Sequence, residues 1–507
     1  MKDKLGIVCL FCLIFLSKAY VTKCISSSSF VKRQEKAFSS VSGDFFLEEL
    51  HDHSDKVIGR INLRTNTIHS NGKERTGSIG SALLFFKMST FGSVGKFVRQ
   101  TFLPLGYPKT VPAEYTAYQA WNVIQDLCSY LRGIMATNAV LAGMGVGRAD
   151  ITSIQATILW VLRDGASLIG GLLFTSLSSY NFVQNIKFWR LFADSINNVG
   201  ITLDMLTPYF PLHFLPLVCV GSTCKALCGV AAGATNAAIS MHWGEKYGNV
   251  ADILAKNNAQ HTVVSLCGLA VSLPFAQMAG TISPARLWTI YSILTVVHMV
   301  SNYMAMRVLA LRTLNRVRFH MILDTFLSSP SVQAIIISTC SGDKAGTEQL
   351  LSEGVDRDGL FTTQRISARE PIVSLLWGST AHVNSLGSRC RLYLSPTDAL
   401  KYTNKTVADL AEAVSHCAND GYCVLYDAKT GKTAVCMEQE ATIEHQVKAH
   451  LEAALLISIG DVHRARSVAN VLAPELWDIL KRNDWAVETS VQLKPPNARV
   501  YRQRRVS

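Results

Sequence analysis

Charged residues are scarce in this chain. Asp, Glu, Lys and Arg make up 17% of its 507 residues, whereas a soluble domain typically carries about 25%. The formal charge is +12, but no block of roughly five or more consecutive basic residues occurs, so a nucleic-acid-binding tail is not predicted. Basic residues that flank apolar segments are typical of proteins that contact lipid headgroups. We therefore expect membrane lipid as a partner and no nucleic acid.

Catalytic and metal-binding signatures are also missing. The sequence lacks the GxxxxGK[ST], HExxH and GxSxG patterns, and residues 143–147 (GMGVG) lack the spacing of a dinucleotide-binding loop. The cysteines at 219–228 and 417–436 do not have the paired CxxC spacing of a zinc site. The sequence therefore predicts no enzyme activity, no metal and no cofactor held by a known motif.

The amino terminus resembles a targeting signal. Two lysines in residues 1–4 precede the apolar run Leu5–Leu16, and the small residues Ser17 and Ala19 follow it. The run is short for a membrane span but suits the core of a signal peptide. Residues 20–43 are Ser-rich and basic, as in a transit peptide. We predict that residues 1–43 direct the chain to a plastid or endomembrane compartment; a simple secretory signal and an uncleaved anchor are the alternatives.

Long uncharged segments are concentrated in the middle of the chain. They are Gly133–Gly147, Ile151–Leu162, Gly165–Ile186, Met205–Cys224, Ala226–Gly244, Asn257–Ala285 and Leu287–Met306. About 20 apolar residues cross a bilayer as a helix, so the last two segments are the strongest candidates among about four to six spans. The alternative is a buried helical bundle in a soluble protein. Gly229 and Gly233 form a GxxxG pattern, which predicts close helix packing.

Charges inside this apolar region are candidate functional residues, because a charge removed from water usually pairs with another group or faces an aqueous cavity. Arg163 and Asp164 interrupt two uncharged segments and could form a polar site, a structural ion pair or a loop between half-helices. Asp194 and Asn198 share a helical face that could line a polar pathway or face solvent. Together with Asp252, these four residues are the predicted polar membrane site.

The chain changes character after about residue 320. Four arginines with no acidic residue between them follow the last apolar segment, and the positive-inside rule places this end on the cytosolic, stromal or matrix side: Arg307, Arg312, Arg316 and Arg318. Beyond them, residues 421–437 predict a β-hairpin and Thr442–Ile457 a helix. Asp461 can cap a further helix that Pro474 should break or restart, and Val491–Tyr501 predicts a last strand.

The predicted fold class is mainly α, with a multi-helix membrane-associated bundle followed by a smaller α+β carboxy-terminal domain. After the targeting segment, we expect a polar linker and amphipathic helix at 44–100. The helical membrane domain then covers 101–320, and the soluble α+β domain covers 321–507.

A series of strings in residues 100–320 resembles the root UV-B sensitive (RUS) family. They are FLPLGYP (102–108), YQAW (118–121), CSYLRG (128–133), GMGVG (143–147), WVLRDG (160–165), WRLFAD (189–194), GAT (233–235), GNVADILAK (248–256) and LRTLN (311–315) with Arg318. No single string is decisive, but their order is specific. A basic residue that the family tends to carry near Gly170 is absent here.

The resemblance implies a membrane-associated protein linked to plastids or endomembranes. It implies roles in the root response to UV-B, auxin transport and pyridoxal phosphate homeostasis, and members that work with one another. It implies no catalytic residue, and pyridoxal phosphate enters only through the resemblance. A family homologue or a second copy of the chain is therefore an expected partner.

These observations favour a multi-pass membrane protein that carries a small metabolite or regulates its movement. The alternative is a non-catalytic membrane scaffold that acts through protein partners.

Overall fold

The computed structural model describes residues 46–51, 54–62, 67–70, 73–76, 97–145, 153–178, 182, 184–279, 282–354, 359–372, 389–417, 420–487, 491–493 and 500–501. The predicted targeting segment lies outside the described residues. The chain divides into two compact units, one formed by residues 1–107 with 255–263 and the other by 108–254 with 264–507.

The first unit contains a four-stranded antiparallel sheet. Its strands are β1 (Phe46–His51), β2 (Ser54–Asn62), β3 (Thr67–Ser70) and β4 (Lys73–Thr76), paired in chain order. These strands lie where the sequence predicted a polar linker. The strands carry many polar residues, so the alternation of apolar and polar side chains that indicates a strand is weak in this segment.

The second unit begins with a bundle of long helices. They are α1 (Tyr115–Met144), α2 (Ser153–Ser178), α3 (Ile186–Leu206), α4 (Phe214–Gly244), α5 (Val250–Ala279) and α6 (Pro284–Val308). Residues 255–263 of α5 belong to the first unit. Helix α2 packs on α4, α4 on α3, α3 on α1, and α6 on both α1 and α3. Short 3-10 turns that contain Pro208 and Pro211 separate α3 from α4. The described chain is thus mainly helical, as predicted.

Two glycines set the close approach of α3 and α4. A Cβ atom placed on Gly200 would lie 2.7 Å from the carbonyl oxygen of Gly221, and one on Gly221 would lie 3.1 Å from that of Gly200. Backbones can approach this closely only where both residues lack a side chain. The predicted packing pair, Gly229 and Gly233, is different, because a Cβ on either would meet nothing within 4 Å.

The helices that are apolar enough to cross a membrane differ from the strongest predicted spans. By length and composition, Ile154–Ser178 and Pro211–Tyr247 could each cross, and the pair Arg316–Leu327 and Pro330–Ser341, bent by 70°, could form a third span. The predicted segments 257–285 and 287–306 are uncharged but not uniformly apolar. They contain, for example, Asn257 and Gln260 in α5 and His298 and Asn302 in α6, so absence of charge was a poor measure of hydropathy.

The carboxy-terminal part of the second unit is an α+β domain, as predicted. Its helices are α7 (Arg316–Leu327), α8 (Pro330–Ser341), α9 (Lys344–Glu353), α10 (Thr363–Arg369), α11 (Pro396–Thr403), α12 (Val407–His416), α13 (Ile443–Ile459) and α14 (Val462–Arg482). Its strands are β5 (Leu314–Asn315), β6 (Cys390–Leu392), β7 (Tyr422–Asp427), β8 (Lys432–Glu438), β9 (Val491–Gln492) and β10 (Val500–Tyr501). Strand β8 pairs antiparallel with β7 and parallel with β6 and β10, while β5 pairs with β9.

Local sequence signals in this domain are confirmed where they concern turns and caps. The predicted hairpin is β7–β8, and the predicted cap Asp461 accepts a hydrogen bond from the first turn of α14. Thr442, which was predicted only as the start of a helix, accepts one from the first turn of α13. The predicted break at Pro474 is wrong, because α14 continues through it. Its apolar face, which includes Leu472 and Leu476, is buried in the core, and this packing offsets the roughly 3 kcal/mol that an interior proline costs a helix.

The predicted last strand, Val491–Tyr501, is two strands with different partners. Strand β9 pairs with β5 and β10 pairs with β8, so the two described ends of the predicted strand belong to different sheets.

The α3–α4 contact generates a test with a matched control. Gly200→Ala is expected to destabilise the chain by about 1–3 kcal/mol, because the new methyl group must force the helices apart. Gly229→Ala, in open space, should be neutral or slightly stabilising, since alanine is the better helix former. Thermal unfolding of both variants measures the difference, and equal melting temperatures would contradict the packing described here.

Candidate functional site

A buried polar cluster lies between α1, α3 and α6, and Asp194 of α3 is at its centre. The carboxylate accepts hydrogen bonds from Gln125 Nε2 of α1 at 2.6 Å and from Asn302 Nδ2 of α6 at 2.5 Å. Arg190 Nε and His298 Nε2 each lie 4.0 Å from its oxygens. Asp194 is buried, so these groups replace the water that a carboxylate would otherwise bind.

The cluster extends along α1 to a buried guanidinium. Arg132 Nη1 donates to Asn198 Oδ1 of α3 and, at 3.4 Å, to Thr295 Oγ1 of α6. Beside them, the hydroxyl groups of Thr202 and Tyr291 are 2.7 Å apart. The three helices therefore share a polar interior along about three helical turns of α3.

Helical periodicity explains why these side chains meet. Residues three or four positions apart lie on one face of a helix. Helix α3 presents Arg190, Asp194 and Asn198 at this spacing, and α6 presents Thr295, His298 and Asn302. Because α1 and α6 both pack against α3, the three polar faces converge.

The structure brings together two of the five predicted site residues, Asp194 and Asn198. Arg163 and Asp164 lie elsewhere, in the middle of the uninterrupted helix α2, where Arg163 Nη2 is 2.8 Å from Asp164 Oδ1. The Arg163 guanidinium also stacks 3.7 Å above the ring of Trp160. Asp252 is half-buried in the first turn of α5, where a negative charge complements the helix dipole.

Sequence reasoning missed most of the partners in the cluster: Gln125, Arg132, Arg190, His298 and Asn302. Gln125, His298 and Asn302 are neutral, so a search for charges in apolar segments passes over them. The spacing of polar side chains along α6, at positions 295, 298 and 302, was the signal that could have identified the two α6 partners, His298 and Asn302.

A second buried cluster joins the bundle to the carboxy-terminal domain. Lys187, at the start of α3, lies 2.8 Å from Glu370 Oε2, and Arg318 Nη2 of α7 lies 3.0 Å from Glu370 Oε1. Lys187 also donates to Ser367 Oγ at 2.6 Å, and Ser367 donates to the carbonyl oxygen of Leu309 at 2.8 Å. All three charged residues are buried. This cluster is called the junction.

The opposite charges of the junction lie close together and shift each other's pKa. Burial lowers the pKa of Lys187 to about 8, an effect that Glu370 opposes. Burial alone would raise the pKa of Glu370, but Arg318 and Lys187 hold it below its ordinary value. Glu370 is therefore ionised at neutral pH and bonded to two cations.

The arginines at the end of α6 and beyond it have protein partners in addition to any lipid contact. Arg307 donates to the carbonyl oxygen of Ala368 at 2.8 Å, and Arg312 donates to the carbonyl oxygen and carboxylate of Asp484 at 2.9 and 2.8 Å. With Arg318 in the junction, three of the four arginines that the positive-inside rule assigned to membrane orientation bind the carboxy-terminal domain. They are weaker evidence for topology than the sequence implied.

The chemistry of the two clusters is that of charge stabilisation. Within the described residues, no group of three or more His, Cys, Asp and Glu side chains is arranged to hold a metal ion. The bundle cluster supplies hydrogen-bond donors, acceptors and opposite charges in a desolvated interior, as a binding site for a small polar molecule would.

The junction gives a second testable prediction. Glu370→Ala should destabilise the chain by about 3–5 kcal/mol, because two buried cations lose their counter-ion. Adding Lys187→Met should restore part of the loss, since only one cation then remains unpaired. Thermal unfolding of the single and double variants measures both effects. Glu348→Gln, on the exposed face of α9, is the control; a loss for Glu370→Ala no larger than for this control would refute the junction.

Residues 89–330 match the sequence model of the vitamin B6 photo-protection and homoeostasis domain. Protein root UVB sensitive 3 of Arabidopsis thaliana is 38% identical over 242 residues, which cover 48% of this chain and 54% of that protein. RUS family member 1 of Dictyostelium discoideum is 38% identical over 230 residues, 45% of this chain and 44% of that protein. Protein root UVB sensitive 2, chloroplastic, of Arabidopsis thaliana is 31% identical over 232 residues, 46% of this chain and 52% of that protein.

The chain spans about half the length of the curated relatives it matches. No solved structure matches it. The matched residues include α1, α3 and α6 and hence the whole bundle cluster, whereas Glu370 and most of the carboxy-terminal domain lie beyond residue 330. Residues 89–330 of this chain therefore form the domain that it shares with the root UV-B sensitive family.

Proposed function

We propose that this chain is a multi-pass membrane protein that carries a small metabolite, or regulates its movement, at the bundle cluster. The observation that carries the proposal is a desolvated polar cluster beside helices that are long and apolar enough to cross a membrane. Charged groups inside such a bundle usually mark the path of a substrate. The name of the matched domain points to vitamin B6 homoeostasis as the process, and the chloroplastic relative favours a plastid membrane.

The outer surface of α2 supports a membrane setting. None of the α2 side chains that the structure describes is buried, and Leu168, Leu172 and Leu177 are 74%, 72% and 80% exposed. Leucines this exposed are unfavourable in water but not in a lipid or protein environment.

Carbonate extraction of membranes that contain the full chain tests the proposal. We expect the chain to stay in the membrane pellet, because spanning helices are not released by high pH, and a carboxy-terminal tag to be accessible from only one side in a protease-protection assay. Complete release into the supernatant would refute membrane integration. A pelleted Asp194→Asn variant should in addition lose function in cells that lack the endogenous protein, whereas Asp252→Asn should retain it.

A second candidate function, the scaffold, is favoured by the position of Asp164. Its side chain is 60% exposed and lies midway along α2, among the exposed leucines. A carboxylate that faces lipid at this depth is costly even when paired with its neighbour Arg163. A second copy of the chain, or a family homologue, that covered this face would remove the cost.

The variant Asp164→Leu distinguishes an α2 that faces lipid from an α2 that is covered by another protein. If another protein covers this face through the charges, the variant should lose self-association or homologue binding, measured by the mass of the assembly in nanodiscs. Thr175→Val, on the same exposed surface of α2, is the matched control and should leave the assembly unchanged. A monomeric wild-type chain that also fails to bind the homologue would exclude the scaffold.

A further inference from the structure

Arg132 is a buried cation with neutral partners. It is 0% exposed, and its Nε and Nη1 atoms donate to the carbonyl oxygen of Cys128, the amide oxygen of Asn198 and the hydroxyl of Thr295. Among the described residues, Nη2 has no hydrogen-bond partner. A desolvated guanidinium normally pairs with an anion, because its charge and its planar donors otherwise remain unsatisfied.

The carboxylate of the cluster does not fill this role. Asp194 accepts its hydrogen bonds from Gln125 and Asn302, and the guanidinium within 4.0 Å of it is that of Arg190. Gln125 and Asn302 come from helices that pack on α3, and Arg190 lies on α3 itself. Asp194 therefore already has three close partners, and it makes no hydrogen bond or ion pair with Arg132.

A second unpartnered group lies on the facing helix. His298 is 0% exposed, and within the part of the chain that the structure describes neither of its ring nitrogens has a hydrogen-bond partner. It lies one turn of α6 beyond Thr295, which contacts Arg132. An imidazole can donate from either nitrogen, so Arg132 and His298 together offer unused donors.

The partners of the guanidinium are more accessible than the guanidinium itself. Asn198 and Thr295 are only half-buried, whereas Arg132, Asp194 and His298 are buried. A ligand that displaced these two neutral side chains from Nη1 would reach two amino groups of one guanidinium, the geometry that binds a carboxylate or phosphate through paired hydrogen bonds.

We propose that Arg132 and His298 bind the carboxylate or phosphate group of a small anion, and that anions are the substrate class of the bundle cluster. The identification of this ligand as a moved metabolite rests on the proposed function, but the binding site does not. A soluble metabolite and the headgroup of an acidic phospholipid share this chemistry, and the test distinguishes them.

The test is thermal unfolding of the full chain in phosphatidylcholine nanodiscs, with inorganic phosphate or succinate as the probe. A saturable rise in the melting temperature of about 5 °C is expected at concentrations far above the dissociation constant. Arg132→Gln should abolish the rise. Arg132→Lys, which keeps the charge, should fold even where the glutamine variant does not and should show a smaller rise. Arg482→Gln, exposed in the last turn of α14, should respond like the wild type.

Nanodiscs that contain phosphatidic acid distinguish the source of the anion. If the Arg132-dependent rise occurs there without any soluble anion, and soluble anions have no effect, the ligand is a lipid headgroup and the anion site stands. An equal rise in wild type and both Arg132 variants, or no rise in any condition, would overturn it. Carbonate extraction separates this result from the proposed function. A chain retained in the membrane that shows no rise in nanodiscs contradicts only the anion site. A chain released by carbonate is tested in buffer instead, and a rise there contradicts only the membrane role.

Discussion

Charged groups that leave water must find replacement partners in the protein, and α3 carries the charges for which this constraint is strongest. Its first turn places Lys187 in the junction, and its next turns place Arg190 and Asp194 inside the bundle. The partners come from α1, α6 and the segment around Glu370. Rotation of α3 about its axis would break both clusters at once, so the helix has one orientation that satisfies all of its charges.

The glycine contact with α4 fixes the remaining side of α3. Gly200 and Gly221 allow the two backbones to touch, which holds α3 from behind while its polar face is held by hydrogen bonds. Packing thus sets the position of the helix and electrostatics sets its rotation. A small shift of α3 would alter the bundle cluster and the junction together, because Lys187 and Asp194 lie on the same rigid element.

Local signals predicted much of the fold, and distant contacts could not be predicted in the same way. The hairpin β7–β8 and the capping residue Asp461 depend on neighbours in sequence, and the structure contains them. Asp194 was identified because it is a charge among apolar residues. Its neutral partners Gln125 and Asn302 lie far away in the chain and carry no comparable mark. Arg132 stands at the edge of an uncharged segment, where a basic residue is ordinarily a flanking one.

The order in which the chain is synthesised limits when the junction can form. Lys187 and Arg318 both emerge from the ribosome before Glu370, so the two cations are made before the carboxylate that neutralises them. Until Glu370 has been made, neither cation has this counter-ion, and burial of either would cost the free energy of an unpaired charge. The junction can therefore form only after the chain has been translated past residue 370, beyond the region that matches the family.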